Sequence, residues 1–329
     1  MRNFLIFLLL ATSLVAKEAY KLGEGMQVQE LPLYLGGYIS LDYKSSQTED
    51  RYRINDLALL AYGNHNKFSY VAELEAKEFY TKRYRTEADN STYNGKLYVE
   101  RVYINYTFNE NYQLQIGKYN SPVGLWNLYP INVFRETTSS PASTFIIYPK
   151  YTTGLLASYQ SFGDGELSID LMLQHNEDVD HEYNNYEIDK HYGFGVSYQI
   201  DDYSVKLNGG HFHKVNLGTL EDELYYVLVS AKYETDTYQV LSELGKQRSN
   251  DKVTTNYAGY IQGLYRLTQK YSGVVRVEAI DDRVNKINEE LIIFGVTYRP
   301  LYPVAIKGEY RFHSQNKLNQ SLISLSVLF

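Results

Sequence analysis

The sequence has no cysteine, one tryptophan and seven prolines in 329 residues. Without cysteine it has no disulfide framework, no thiolate metal site and no lipid anchor on cysteine. It lacks a basic excess: Lys and Arg number 32 against 39 Asp and Glu, a formal charge of −7. That balance argues against a nucleic-acid binder. It also lacks a long apolar run. The one continuous stretch, Phe4 to Leu10, is far short of the roughly 20 residues that a membrane helix needs. A mean hydropathy of −0.41 is too polar for a bundle of such helices. What the chain has in abundance is tyrosine, 35 residues.

The first residues read as an address. Arg2 is a short positive region, Phe4 to Leu10 an apolar one, and Ala11, Thr12, Ser13 and Ala16 are small. That is the layout of a secretory signal peptide. Residues 1–16 are expected to be removed after Ala16, with cleavage after Ser13 the alternative.

From residue 33 onward the chain alternates apolar and polar side chains. Period two means a strand with two unlike faces. In 304–312, Val304, Ile306, Gly308, Tyr310 and Phe312 oppose Ala305, Lys307, Glu309 and Arg311. Such segments recur from 33–43 to 320–329, each about the 9–11 residues of a tilted transmembrane strand. Short turns alternate with long polar loops, among them 44–51, 79–96, 120–151 and 176–190. The apolar faces carry Tyr near strand ends, including Tyr43, Tyr106, Tyr198, Tyr265 and Tyr298. The opposite faces carry charges in mid-strand, which a soluble two-sheet core would not tolerate. The fold expected is all-β: a transmembrane antiparallel up-and-down barrel of sixteen strands over residues 33–329, with 17–32 as an N-terminal periplasmic segment. Fourteen strands result if 112–119 and 152–161 merge into the loops. Closure removes the unpaired edges that hydrocarbon penalises.

Residues 100–106 (ERVYINY), 115–124 (QIGKYNSPVG), 295–300 (GVTYRP) with 307–310 (KGEY), and a terminal strand ending in Phe329 carry a resemblance. The chain resembles Gram-negative outer-membrane porins, especially the phosphate-selective porin-like group. The resemblance implies passive diffusion of small hydrophilic solutes or ions through a barrel in the bacterial outer membrane, commonly a homotrimer. It implies contact with the lipid bilayer and lipopolysaccharide, and Phe329 as the signal read by the barrel-assembly machinery. Acids intersperse the bases, a departure from the arginine ladder of the phosphate-selective group.

Parity places Glu73, Glu75, Arg101, Tyr103, Asn105, Glu243, Arg266, Arg276, Glu278, Arg299, Lys307, Glu309 and Arg311 on the inner wall. There they either set a weak charge selectivity or pair across strands and stiffen the wall. The 120–151 connection is too apolar to stay solvated. It is expected to fold inward and narrow the lumen, with Arg135 and Glu136 at the constriction; packing at a subunit contact or over the rim is the alternative. The acidic loop 176–190 reads as a solvated face or a divalent-cation site. His211 and His213 share a strand face, but no third metal ligand stands near them in sequence. No cofactor is implied. No Gly-x-Ser-x-Gly elbow, phosphate-cradling loop or dinucleotide fingerprint appears, so an enzyme is not expected. A non-conducting adhesin or scaffold and a barrel-embedded hydrolase remain the alternatives.

Overall fold

The computed structural model describes residues 20–85, 90–215, 222–314 and 318–329. The signal-peptide reading of residues 1–16 lies outside the described residues. The protein is a closed antiparallel barrel of 16 strands. The first four are β1 (Tyr34–Ser46), β2 (Asp50–His65), β3 (Phe68–Tyr84) and β4 (Tyr98–Thr107). Next come β5 (Tyr112–Asn120), β6 (Tyr151–Phe162), β7 (Glu166–His175) and β8 (Ile188–Ile200). Then follow β9 (Tyr203–Lys214), β10 (Asp222–Glu234), β11 (Tyr238–Ser249) and β12 (Val253–Arg266). The last are β13 (Tyr271–Asp282), β14 (Ile287–Tyr298), β15 (Val304–His313) and β16 (Gln320–Leu328). The segments at 112–119 and 152–161 are strands in their own right, so the count is sixteen and not fourteen.

Each strand pairs with its neighbours in sequence, and β16 closes on β1 with Leu325 opposite Leu41. Phe329 seals the seam: its N–H donates to the Gly37 carbonyl and its carbonyl accepts from the Gly37 N–H, both at 2.7 Å. Gly37 is needed there, because a Cβ would lie 2.3 Å from the Ala58 oxygen and 2.9 Å from the Phe329 ring. Just upstream, Met26 and Gln27 fold back to pair with Leu35 and Tyr34.

Alternation sorts the side chains as a barrel in lipid requires. On β11, Glu243 is 2% exposed and its neighbour Leu244 is 60% exposed. On β12, Gln262 is buried and Ile261 is 61% exposed. A water-soluble protein inverts this order. Aromatic pairs gather at the short-turn end, where Tyr203 meets Tyr233, Tyr238 meets Tyr265, and Tyr271 stacks on Tyr298 at 4.6 Å. No helix among the described residues is long and apolar enough to cross a membrane.

Several strands outrun the ten residues expected. β3 runs 17 residues, through Tyr84, and Asn90–Tyr93 pairs with its end, so much of the expected 79–96 loop is a hairpin. Backbone ladders need no apolar side chains, so a polar sequence beyond the apolar band continues the sheet.

Candidate functional site

The segment between β5 and β6 crosses the interior. It is irregular apart from short turns at Trp126–Leu128, Asn132–Phe134 and Ser143–Ile146. Its apolar residues pack on the wall: Val123, Ile147 and Tyr148 against Phe212, Leu228 and Ala258, and Ile131 and Val133 against Tyr38, Ala58 and Ala305. Trp126 meets Tyr260 edge-on at 6.2 Å.

An irregular backbone pairs with itself only within its short turns, so the wall must supply the remaining hydrogen bonds. Charged side chains do so. Glu243 accepts from the N–H groups of Leu125 and Trp126, the latter at 3.0 Å. Glu309 accepts from the N–H of Thr138 at 2.9 Å, and Glu278 from that of Ala142 at 3.0 Å. Lys307 donates to the carbonyl and side-chain oxygens of Asn132. Arg299 donates to the Val133 and Arg135 carbonyls and to Glu136. Arg276, fully buried, donates to Glu278, Thr137 Oγ1 and Ser139, and lies 5.3 Å from the Trp126 ring. Such charge-assisted bonds are roughly twice as strong as neutral ones.

The adjoining wall, β1–β4, differs. Glu73 pairs with Arg101. Glu75 and Glu100 lie among three tyrosine hydroxyls. Tyr38 donates from 3.0 Å and Tyr151 from 2.7 Å to Glu100, and Tyr183 sits between Glu100, at 2.9 Å, and Glu75. Tyr183 belongs to the 176–187 connection. The solvated reading of that loop holds at Glu177 and Glu182, which are exposed, and is corrected at two positions: Asp178 is buried against Lys118 at 3.1 Å, and Asp180 accepts from Lys118 through its carbonyl and from the Val99 N–H through its carboxylate. Its acids answer a buried lysine that the alternation pattern points outward. Among the described residues no cluster of His, Asp and Glu is arranged to hold a metal. His211 and His213 instead face Glu223 and Asp189 separately, the second at 2.6 Å.

Between the β1–β4 wall and the crossing segment lies a polar cavity of about 220 Å³, which Tyr151 and Tyr183 also line. Asp56, Glu75 and Glu100 line it together with Lys77, Arg135 and Lys150, and Asp56 stands opposite Lys77 in the strand register. Burial, together with nearby Arg135 and Lys77, pushes the Lys150 ammonium down to about 8.

The residues assigned to the wall by parity thus fall into groups. Glu243, Arg276, Glu278, Arg299, Lys307 and Glu309 all reach the crossing segment. Glu73, Glu75 and Arg101 form the tyrosine-rich cluster with Glu100. Arg266 lies at the short-turn end, donating to Glu234 and the Thr235 carbonyl. Arg311 is half-buried beside these groups. Tyr103 and Asn105 touch neither connection; Asn105 donates to Gln113 at 3.4 Å. Arg135 lines the cavity, while Glu136 is drawn away to Ser272 and Arg299. Alternation missed Glu100 and Lys118. A bulge at Glu100, where Glu73 pairs with Arg101 but Leu74 with Val99, turns two consecutive side chains inward. Gly117, at φ +129°, breaks the alternation before Lys118.

The geometry defines a closed antiparallel barrel with an apolar exterior and a charged interior crossed by one long connection. No family model matches the chain, and no curated protein does. Solved structures do. Salmonella typhi OmpF in complex with daunomycin superposes with a TM-score of 0.61 at 12% identity, over 90% of this chain and 97% of that one. An anion-selective porin from Comamonas acidovorans gives 0.61 at 12% identity, over 90% and 99%. The trimer form of OmpT, an outer membrane protein of Vibrio cholerae, gives 0.57 at 11% identity, over 90% and 99%. At these identities the likeness speaks for the fold.

Proposed function

We propose that the protein is a porin of the bacterial outer membrane. It forms a water-filled channel for passive diffusion of small hydrophilic solutes or ions, with weak charge selectivity. One observation carries this reading: charged side chains fill the interior while Leu, Ile, Val and Phe cover the outside. Only a barrel with lipid outside and water inside gives that order a favourable energy. The 120–151 segment is the constriction, with Arg135 at its edge and Glu136 bracing it. Cations and acids interleave around the cavity, which favours weak selectivity over a dedicated phosphate path. The chain is exported with residues 1–16 removed, contacts lipopolysaccharide at its long-loop end and assembles as a homotrimer, as the trimer form of the Vibrio cholerae protein suggests by its fold. Phe329 at the seam is the residue the barrel-assembly machinery reads. The test is reconstitution into a planar lipid bilayer. Stepwise ohmic conductance in potassium chloride is expected. A folded barrel that inserts without conducting overturns the proposal and leaves the adhesin or scaffold reading.

A further inference from the structure

In the cavity beside the β1–β4 wall, two phenol rings stand between opposite charges. Lys77 Nζ lies 5.3 Å from the centre of the Tyr183 ring, and the hydroxyl of that ring touches Glu75 and Glu100. Lys150 Nζ lies 5.5 Å from the Tyr151 ring, whose hydroxyl donates to Glu100. In both cases a phenol ring spaces an ammonium from a carboxylate. Arg135 donates to the Tyr129 carbonyl and Ser140 Oγ. Among the described residues no carboxylate forms an ion pair with Lys77, Arg135 or Lys150.

The acidic end is short of donors. Glu75 and Glu100 present four carboxylate oxygens, and Tyr38, Tyr151 and Tyr183 bring one hydroxyl proton each. Glu75 Oε1 is the oxygen left without a partner, on a side chain only 2% exposed. A buried, unpaired carboxylate oxygen is costly. The basic end is short of acceptors and crowded with like charge, which is part of why Lys150 is pushed down. A bare anion would relieve one end and a bare cation the other.

We propose that this cavity binds a small zwitterion, its ammonium toward Glu75 and its carboxylate toward Lys77, Arg135 and Lys150. The phenol spacers separate the two ends by more than the two bonds of an α-amino acid. They favour a molecule with its charges several bonds apart, as in a dipeptide. The cavity volume admits a solute of that size and little more. This inference rests on the channel reading for its biological sense: the bound zwitterion would be a solute that pauses in transit.

The test uses glycylglycine as the probe, with acetate and ethylammonium as its separated halves and alanine as the short zwitterion. Binding to the detergent-solubilised barrel is measured by calorimetry, and potassium chloride conductance is recorded with each probe added. Saturable binding and a saturable fall in current are expected for glycylglycine, with each of the other three at least several-fold weaker. Glu75→Gln and Lys150→Gln should each weaken glycylglycine by about tenfold, the loss of one charge-assisted contact. A circular dichroism spectrum of β-sheet confirms that each variant folds, and Lys77→Gln substitutes for any variant that does not. Acetate or ethylammonium binding as tightly as glycylglycine overturns the inference, as does the absence of binding to a conducting barrel. Binding without any conductance overturns the channel reading and supports the pocket.

Discussion

On the wall built by β11–β16, Glu243, Arg276, Glu278, Arg299, Lys307 and Glu309 all end on atoms of the crossing segment. On the wall built by β1–β4, Asp56, Glu75 and Lys77 reach tyrosines, an asparagine or the cavity instead. The two walls carry the same residue types at the same depth in the strand pattern. They differ in what faces them. Where irregular backbone lies against the wall, charge is consumed in satisfying that backbone. On the β1–β4 wall the segment arrives chiefly through the apolar side chains Ile131 and Val133, so Asp56, Glu75 and Lys77 are not used up on its backbone. Charged residues on an inner face are therefore two populations, and under the proposed channel function only the second would act on a solute directly.

The largest test of this division removes the segment. Deleting residues 125–147 should raise single-channel conductance several-fold, because it frees the space the segment fills. It should also expose six clamping charges to the solute and change the reversal potential in a salt gradient. Conductance equal to that of the full chain would show that the segment does not constrict the path. A single clamp is the next step down. Arg276→Ala strips buried Glu278 of its ion-pair partner, leaving it the Ala142 N–H, and removes the donor to Thr137 Oγ1 and Ser139 Oγ. Breaking a buried pair costs about 3–5 kcal/mol, visible as a lower denaturant midpoint and as flicker in the open current. Asp56→Asn on the other wall keeps the shape of the group and should cost less than about 1 kcal/mol. Equal losses at the two positions would erase the distinction between the walls.

The barrel was legible in the sequence because lipid outside and water inside impose one pattern on every strand. Leu244 beside Glu243, or Ile306 beside Lys307, states the rule locally. The contents of the barrel were legible only in part. The apolar content of 120–151, with Trp126, Val133 and Ile147, signalled burial. Its partners did not, since Glu243 lies 118 residues from Leu125 and no local pattern links them. Glu100 and Lys118 were hidden for a different reason. A bulge and a positive φ each break the period-two rule at one residue, and parity has no means of anticipating that. The acids of 176–190 looked solvated because the lysine that holds Asp178 was one of the two hidden residues.

Titration sharpens the comparison with a smaller effect. Lys150 is outside the strands, and burial with Arg135 and Lys77 nearby brings it to about 8. It is charged below that pH and neutral above it. Raising the pH through about 8 removes one positive charge from the cavity and with it one fixed attraction for chloride. The ratio of chloride to potassium permeability should therefore fall across that interval. Lys150→Gln should hold the ratio low and flat. A step that persists in Lys150→Gln would assign the titration to another group.

The smallest effect expected is at Asn105. It sits on the inner face by parity, as Glu73 does, yet it touches neither the crossing segment nor the cavity. Its one side-chain contact is the long 3.4 Å bond to Gln113. Asn105→Ala should change stability by no more than about 0.5 kcal/mol, the usual range for a side chain with no special contact. Conductance and selectivity should stay within error of the unaltered chain. A neutral result at Asn105 beside a large one at Arg276 would show that the inner face matters through what each side chain holds. A shift in selectivity at Asn105 would mean instead that position on the wall suffices, and that solutes sense the lumen well below the cavity.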